Sequence, residues 1–300
     1  MVFLLDLFEL SEKIRIFRNE LESPCYLLSM DIAKTESFTV YIIESLHEGD
    51  MRTGSNLHDV LRQKSVDYPD FCFTSQYVSI FDKESFIAKL QEIANDIDKY
   101  NKIPILQIEC HGDRKYLLLS SNEHVEWVEL FNSIRVINEK SRNKLLLNLS
   151  MCNGEAVIKE IDPKKRAPFR AVIGPEGEAK AFDLQNAWIK FYDSYYSAMK
   201  NHEDFYLWRI ASSCGLLYFN QEFIFDAHFD TPNLFPEIFK RWIYQELFEW
   251  YKKEGPLMLD VDMYIKWKEK ELRKIFDRYK PYYCFEDTTN LKVQTLWHNI

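Results

Sequence analysis

Ile103-Pro104-Ile105-Leu106-Gln107-Ile108-Glu109-Cys110-His111-Gly112 and Leu145-Leu146-Leu147-Asn148-Leu149-Ser150-Met151-Cys152-Asn153-Gly154 are the two stretches that decide the fold of this chain. Each is a short apolar run closed by turn residues, the pattern of a buried strand. Between them, Val125, Val128, Phe131, Ile134 and Ile137 recur at helical spacing. Strand, helix, strand at this spacing is a crossover unit and predicts parallel pairing. An imidazole and a thiol then lie side by side at the carboxyl edge of the sheet, where open α/β sheets carry their sites.

Working outward, Cys25 to Met30, Phe38 to Glu44, Tyr77 to Phe81 and Phe169 to Gly174 are further predicted strands. Leu46 to Tyr68 is polar and reads as an excursion from the sheet, with a short helix near Leu57 to Lys64. Asp82 is a predicted N-cap for a helix with Phe86, Ile87, Leu90, Ile93, Ala94 and Ile97 on one face. Ser121 is the expected cap of the helix before Cys152. Phe182 to Met199 is an aromatic helix expected to face the core. Leu234 to Lys252 and Asp260 to Tyr279 are helices of a different character, punctuated by Pro256 and Pro281. The boundary falls between Phe219 and Thr231, giving an α/β domain over 1–225 and a helical lobe over 226–300.

Apolar content of 46% and charge of 28% describe an ordinary globular chain, and 300 residues suffice for a large core. A net charge of -9 argues against a nucleic-acid partner, whose footprint is basic. The apolar amino terminus is short, lacks a basic lead and contains acids, so no signal peptide is expected, and no run approaches a membrane span. Six cysteines lie far apart, without metal-site spacing or disulfide density, which points to a reducing cytoplasm. The histidines other than His111 show no ligand-like spacing, and no metal or organic cofactor is expected.

A thiolate is a strong nucleophile and a thiol a weak one. His111 can take the proton of Cys152 and return it to a leaving amine, steps that suit an imidazole because that side chain ordinarily titrates near neutral pH. Backbone N–H groups of Gly112 and Cys152 are the candidates for an oxyanion hole, with Gly112 permitting close approach of a carbonyl. Glu155 to Ile158 is positioned to begin a helix near the sulfur. No carboxylate stands out as the group that orients the imidazole. Cys110 is the rival thiol, but strand alternation turns it to the opposite side, toward core packing.

The run Cys110-His-Gly-Asp, the Lys-Tyr-Leu-Leu-Leu and Val-Glu-Trp-Val-Glu-Leu-Phe segments, and Leu-Leu-Leu-Asn-Leu-Ser-Met-Cys152 together resemble the caspase-like cysteine peptidases of clan CD. The resemblance is greatest to their bacterial CHAT branch, and it spans Cys25 to Met199. It implies a three-layer sandwich with a mostly parallel central sheet, followed here by the helical lobe. It also implies a cysteine endopeptidase with His111 as base and Cys152 as nucleophile. The Gln-Ala-Cys-Arg-Gly signature of animal caspases is replaced by Ser150-Met-Cys-Asn-Gly, so aspartate specificity does not carry over. Asp31 ends the first predicted core strand, where the family sets its specificity pocket, and would favour a basic residue before the scissile bond; as a bare residue it reads equally as a turn or cap. By the same resemblance the substrate is a specific protein, such as a gasdermin-like pore former, cut in bacterial defence or regulated cell death. Activation would come from another protein or from assembly. An inactive caspase-like scaffold and a Cys-His acyl hydrolase or transferase for small molecules remain the alternatives.

Two segments carry weaker expectations. Lys164-Lys165-Arg166 reads as a solvated loop. Trp242, Phe248, Trp250 and Tyr251 read as packing within the helical lobe rather than a docking surface.

Overall fold

The computed structural model describes residues 37–67, 73–100, 102–200, 207–234, 236–255 and 260–285. The predicted strand over Cys25 to Met30 and the candidate pocket residue Asp31 lie outside them. Contacts divide the described residues into two compact units, one over 37–161 and 167–220 and one over 162–166 and 221–285.

The larger unit is α/β. Its strands β1 (Ser37–Ser45), β2 (Phe73–Ser79), β3 (Lys102–Gly112), β6 (Leu146–Ser150), β7 (Ala171–Gly174) and β8 (Leu217–Asn220) run in the order β2-β1-β3-β6-β7-β8. All neighbours are parallel except β7 and β8. A small antiparallel extension, β4 (Tyr116–Leu118) and β5 (His124–Glu126), hangs from the end of β3. Crossover helices follow from the parallel pairing, since parallel neighbours cannot be joined by a tight turn. They are α1 (Thr53–Asp67), α2 (Lys83–Tyr100) and α3 (Trp127–Lys140), while α4 (Ala181–Lys200) and α5 (Leu207–Ser213) lie between β7 and its antiparallel neighbour β8.

Side-chain alternation assigns the faces. Phe38, Val40, Ile42, Ile103, Ile105, Leu146, Ala171 and Ile173 share a core with Leu57 and Leu61 of α1 and Leu184, Trp188, Phe191, Tyr192 and Tyr195 of α4. The aromatic face of α4 is thus buried, and it alone places four fully covered rings against the sheet. The other face of β1 looks to α2, where the Tyr41 hydroxyl donates to Asp96 at 2.6 Å. Helices α2 and α3 pack on each other. Apolar burial at roughly 25 cal/mol per Å² is what holds such layers together.

Several local expectations change. The short helix expected near Leu57 to Lys64 is longer, α1 running over Thr53–Asp67: Leu57 and Leu61 bury one face although the sequence around them is polar. Asp82 caps α2, its Oδ1 accepting from the Ser85 N–H at 2.8 Å. Ser121 does not cap α3. Glu126 and Glu129 do so through a capping box, and Ser121 lies in the β4–β5 turn beside Asn122, whose φ is +66°. Val125, expected on the helix, is buried in β5. Strand β8 went unpredicted, because four residues between helices carry little period.

The smaller unit is helical: α6 (Gln221–Phe229), α7 (Thr231–Leu234), α8 (Pro236–Glu254) and α9 (Val261–Tyr283). Phe239, Ile243 and Leu272 form its centre with Trp242 against them. Phe248, Trp250 and Tyr251 are exposed, contrary to the expectation that they pack. Pro281 does not end α9; it lies within the last turn. The basic loop is not simply solvated either. Arg166 donates to the Tyr282 carbonyl at 3.0 Å, and its guanidinium lies 4.4 Å from the Tyr282 ring and 4.7 Å from that of Phe285. Stacking of this kind uses the flat cation of arginine.

Candidate active site

The register of β3 and β6 builds the site. Gln107 pairs with Asn148 and Glu109 with Ser150, and His111 and Cys152 each lie two residues further on. Since strand side chains alternate, the five that lie in β3 and β6 belong to the face that carries α1 and α4, and Cys152 follows in the turn just past β6. The two lower rows are buried and polar. Tyr192 donates to Gln107 at 2.9 Å and accepts from Asn148 at 2.8 Å. Glu109 accepts from Thr53 at 2.7 Å and Gln107 at 2.8 Å.

Beside Glu109 on β1 stands Glu44, its cross-strand partner, also fully buried. The Glu44 carboxylate accepts the backbone N–H groups of Gly54 at 2.8 Å and Ser55 at 3.3 Å, at the start of α1, and the Tyr77 hydroxyl at 2.7 Å. A helix N-terminus favours an anion there. Gly54 is required by this approach: a Cβ would meet Glu109 Cγ at 3.0 Å and Glu44 Oε1 at 3.1 Å. Burial pushes the Glu109 carboxyl up to about 7, against hydrogen bonds from Ser150, Thr53 and Gln107 that favour its charged form, with Glu44 raising it further.

At the edge itself, His111 is half-exposed and its Nε2 is 2.8 Å from Asp50 Oδ2. Asp50 is delivered by a tight turn. The Asp50 N–H donates to the His47 carbonyl at 3.2 Å, Gly49 at the third position has φ +94°, and the His47 N–H donates back to Asp50 Oδ2 at 2.8 Å. A positive φ at that position is the signature of a type II turn, and glycine adopts it without penalty. The hydrogen bond to His111, first, and the His47 N–H hold the Asp50 carboxyl below the usual range. Asp50 is therefore the orienting carboxylate that the sequence did not disclose. Its partner is 61 residues away, and the only local signal was a glycine in a turn. With Nε2 held by Asp50, Nδ1 is the imidazole nitrogen left to accept a proton.

Cys152 is partly exposed, and its thiol donates to the Ala179 carbonyl at 3.6 Å. His111 and Cys152 reach the same edge of the sheet, yet no hydrogen bond joins them. The Ala179 loop is tied down on both sides of the thiol. The Asn153 N–H donates to the Gly177 carbonyl at 2.7 Å, and the Gly177 N–H donates to Glu155 Oε2 at 3.2 Å. Asn153 takes the left-handed conformation, with φ +56°. After it comes a seven-residue 3-10 helix, Gly154–Glu160, in place of the expected α-helical start.

Gly112 is explained differently from the expectation. An added Cβ would lie 1.8 Å from Met151 Cε and 3.1 Å from the Tyr116 carbonyl, so the Met151 side chain already fills the space. Its N–H remains suited to an oxyanion. The Asp113 N–H donates to the Tyr116 carbonyl at 3.1 Å, so antiparallel alternation pairs His111 with β4 and turns the Gly112 N–H away from it. Strand β4 takes over the edge of β3 that β1 leaves at Cys110, with Ser120 anchored on Ser45. The Gly112 N–H thus faces the β6 side, where Cys152 is. Cys110 is buried, and burial pushes its thiol far up, so it does not compete as a nucleophile.

Among the described residues no helix is long and apolar enough to cross a membrane. Neither the known protein-family models nor the curated proteins return a match to this chain.

Proposed function

We propose that the protein is a caspase-like cysteine endopeptidase of CHAT type that cleaves a specific protein partner. The observation that carries this reading is the placement of His111 and Cys152 at the carboxyl ends of the neighbouring strands β3 and β6, with Asp50 holding the imidazole. His111 Nδ1 takes the proton of Cys152, and the thiolate attacks the scissile carbonyl. The N–H groups of Gly112 and Cys152 receive the oxyanion, and His111 returns the proton to the leaving amine. Water then hydrolyses the thioester by the same path. Asp50 fixes the tautomer and stabilises the imidazolium as it forms.

In the resting arrangement the Cys152 thiol donates to the Ala179 carbonyl and not to the base. Turnover requires that the Ala179 loop release Cys152, and we assign that release to an activating protein or to assembly. Defence or regulated cell death in the cytoplasm, with a gasdermin-like substrate, is the setting suggested by the family resemblance alone. The thiol's engagement with Ala179 also favours a second reading, an inactive interaction scaffold. Incubation with a peptide library and candidate activators, beside Cys152→Ala, separates the two. Cleavage that disappears in the variant supports the peptidase. No cleavage, with no labelling of Cys152 by an acyl-directed electrophile, supports the scaffold.

A further inference from the structure

We propose that His47, Asp50 and His111 form a binding site for a divalent transition-metal ion, zinc foremost, that shuts off the base. One ligand atom from each lies within 4.8 Å of the others. His47 Nδ1 is 3.7 Å from Asp50 Oδ2, and His111 Nε2 is 2.8 Å from it. Bond lengths near 2.1 Å in a tetrahedral site place donors roughly 3.4 Å apart, so the carboxylate-to-imidazole spacings need sub-ångström adjustment while the two imidazole nitrogens close in from within 4.8 Å. Two imidazoles and a carboxylate are a donor set that suits zinc and its neighbours.

The outer partners are already in place. His47 Nε2 is 3.2 Å from Asn122 Oδ1, so this nitrogen carries the proton and donates it. The Nδ1 lone pair of His47 then looks toward Asp50 Oδ2 at 3.7 Å, and that oxygen already accepts from the His47 and His111 N–H groups, so the lone pair is open to a cation. Fixing of the far ring nitrogen by an oxygen acceptor is also the usual support of a metal-bound histidine. Asn122 reaches its place through the left-handed turn between β4 and β5. The side chains of His47, Asp50 and His111 remain 33%, 34% and 49% exposed, which leaves an entry path and a coordination position for water.

Occupancy changes the chemistry of His111. In the free site Nε2–H donates to Asp50 and Nδ1 is a lone pair. A metal ion bound at Nε2 moves that proton to Nδ1, so the ring keeps its proton count but can no longer accept one from Cys152. Asp50 is drawn to the metal and ceases to orient the ring. This consequence rests on the reading of His111 as base; the binding itself does not.

Calorimetric titration of chelator-stripped Cys152→Ser protein with zinc chloride tests the site. The expected result is one ion per chain, at least tenfold weaker in His47→Ala and in His47→Gln, with folding checked by circular dichroism. Cobalt(II) should bind there without a sulfur-to-metal charge-transfer band. No binding up to millimolar zinc, affinity indifferent to both His47 variants, or a thiolate band would overturn the proposal. The base reading is tested separately, by cleavage in the activated wild-type protein with and without zinc. Site-specific binding that leaves cleavage unchanged would keep the metal site and remove His111 from the mechanism.

Discussion

Asp50 is one hydrogen bond deep, yet it fixes the imidazole in one tautomer. In activated protein, Asp50→Asn should lower kcat by on the order of 10²-fold with little change in KM, since an amide can support the wrong tautomer. Gly49→Ala should act in the same direction, because its φ of +94° strains any side chain and the turn that delivers Asp50 would shift. Gly112 makes a different demand. Gly112→Ala sets a methyl against the mobile end of Met151 and should cost about 1 kcal/mol in urea denaturation. Combined with Met151→Ala, the double variant should be less destabilised than the sum of the singles, because the truncated side chain gives the new methyl room. His111, Cys152 and the oxyanion candidates were legible because each is a strand-end residue beside a turn. Asp50 and His47 were not, since a loop of ordinary polar composition carries no period, and its meaning depends on a strand far along the chain.

At the scale of elements, the loop between β7 and α4 supplies the Ala179 carbonyl to which the Cys152 thiol donates. It is held by two hydrogen bonds to Gly177, which itself has φ +68°. Gly177→Ala should destabilise that conformation by on the order of 1 kcal/mol, and alkylation of Cys152 by iodoacetamide should quicken severalfold while buried Cys110 stays protected. An unchanged rate in the variant would show that the loop does not guard the thiol. Most elements here were readable from period and caps. The exceptions have physical causes: α1 is amphipathic through only two fully buried leucines, and the start of α3 is set by Glu126 and Glu129 in place of the serine five residues earlier.

For the whole molecule, the buried Glu44–Glu109 pair makes stability depend on pH. Glu109 has its pKa raised in the folded protein to about 7 from 4.5, so below pH 4.5 the folded and unfolded forms are both protonated and the group is neutral to stability. As pH rises toward 7 the unfolded chain gives up this proton first, and stability falls by about 3 kcal/mol. Above 7 this contribution is flat. Glu109→Gln should remove that slope, so its stability relative to the wild type should climb between pH 4.5 and 7 and then level off, as followed by chemical denaturation. A parallel pair of curves would mean that Glu109 is ionised in the folded protein. The rows of buried polar side chains under the site therefore tie the global stability of the fold to the strands that present His111 and Cys152.

The hydrogen bond from Cys152 to Ala179 has a practical consequence. A thiol reacts more slowly with electrophiles than a thiolate does, and a carbonyl that accepts from it favours the thiol. A covalent probe added to a mixed population would mark the molecules whose loop has opened and pass over the rest. The labelled fraction would measure how much of the protein has been switched on, and it would say nothing of how much protein is there.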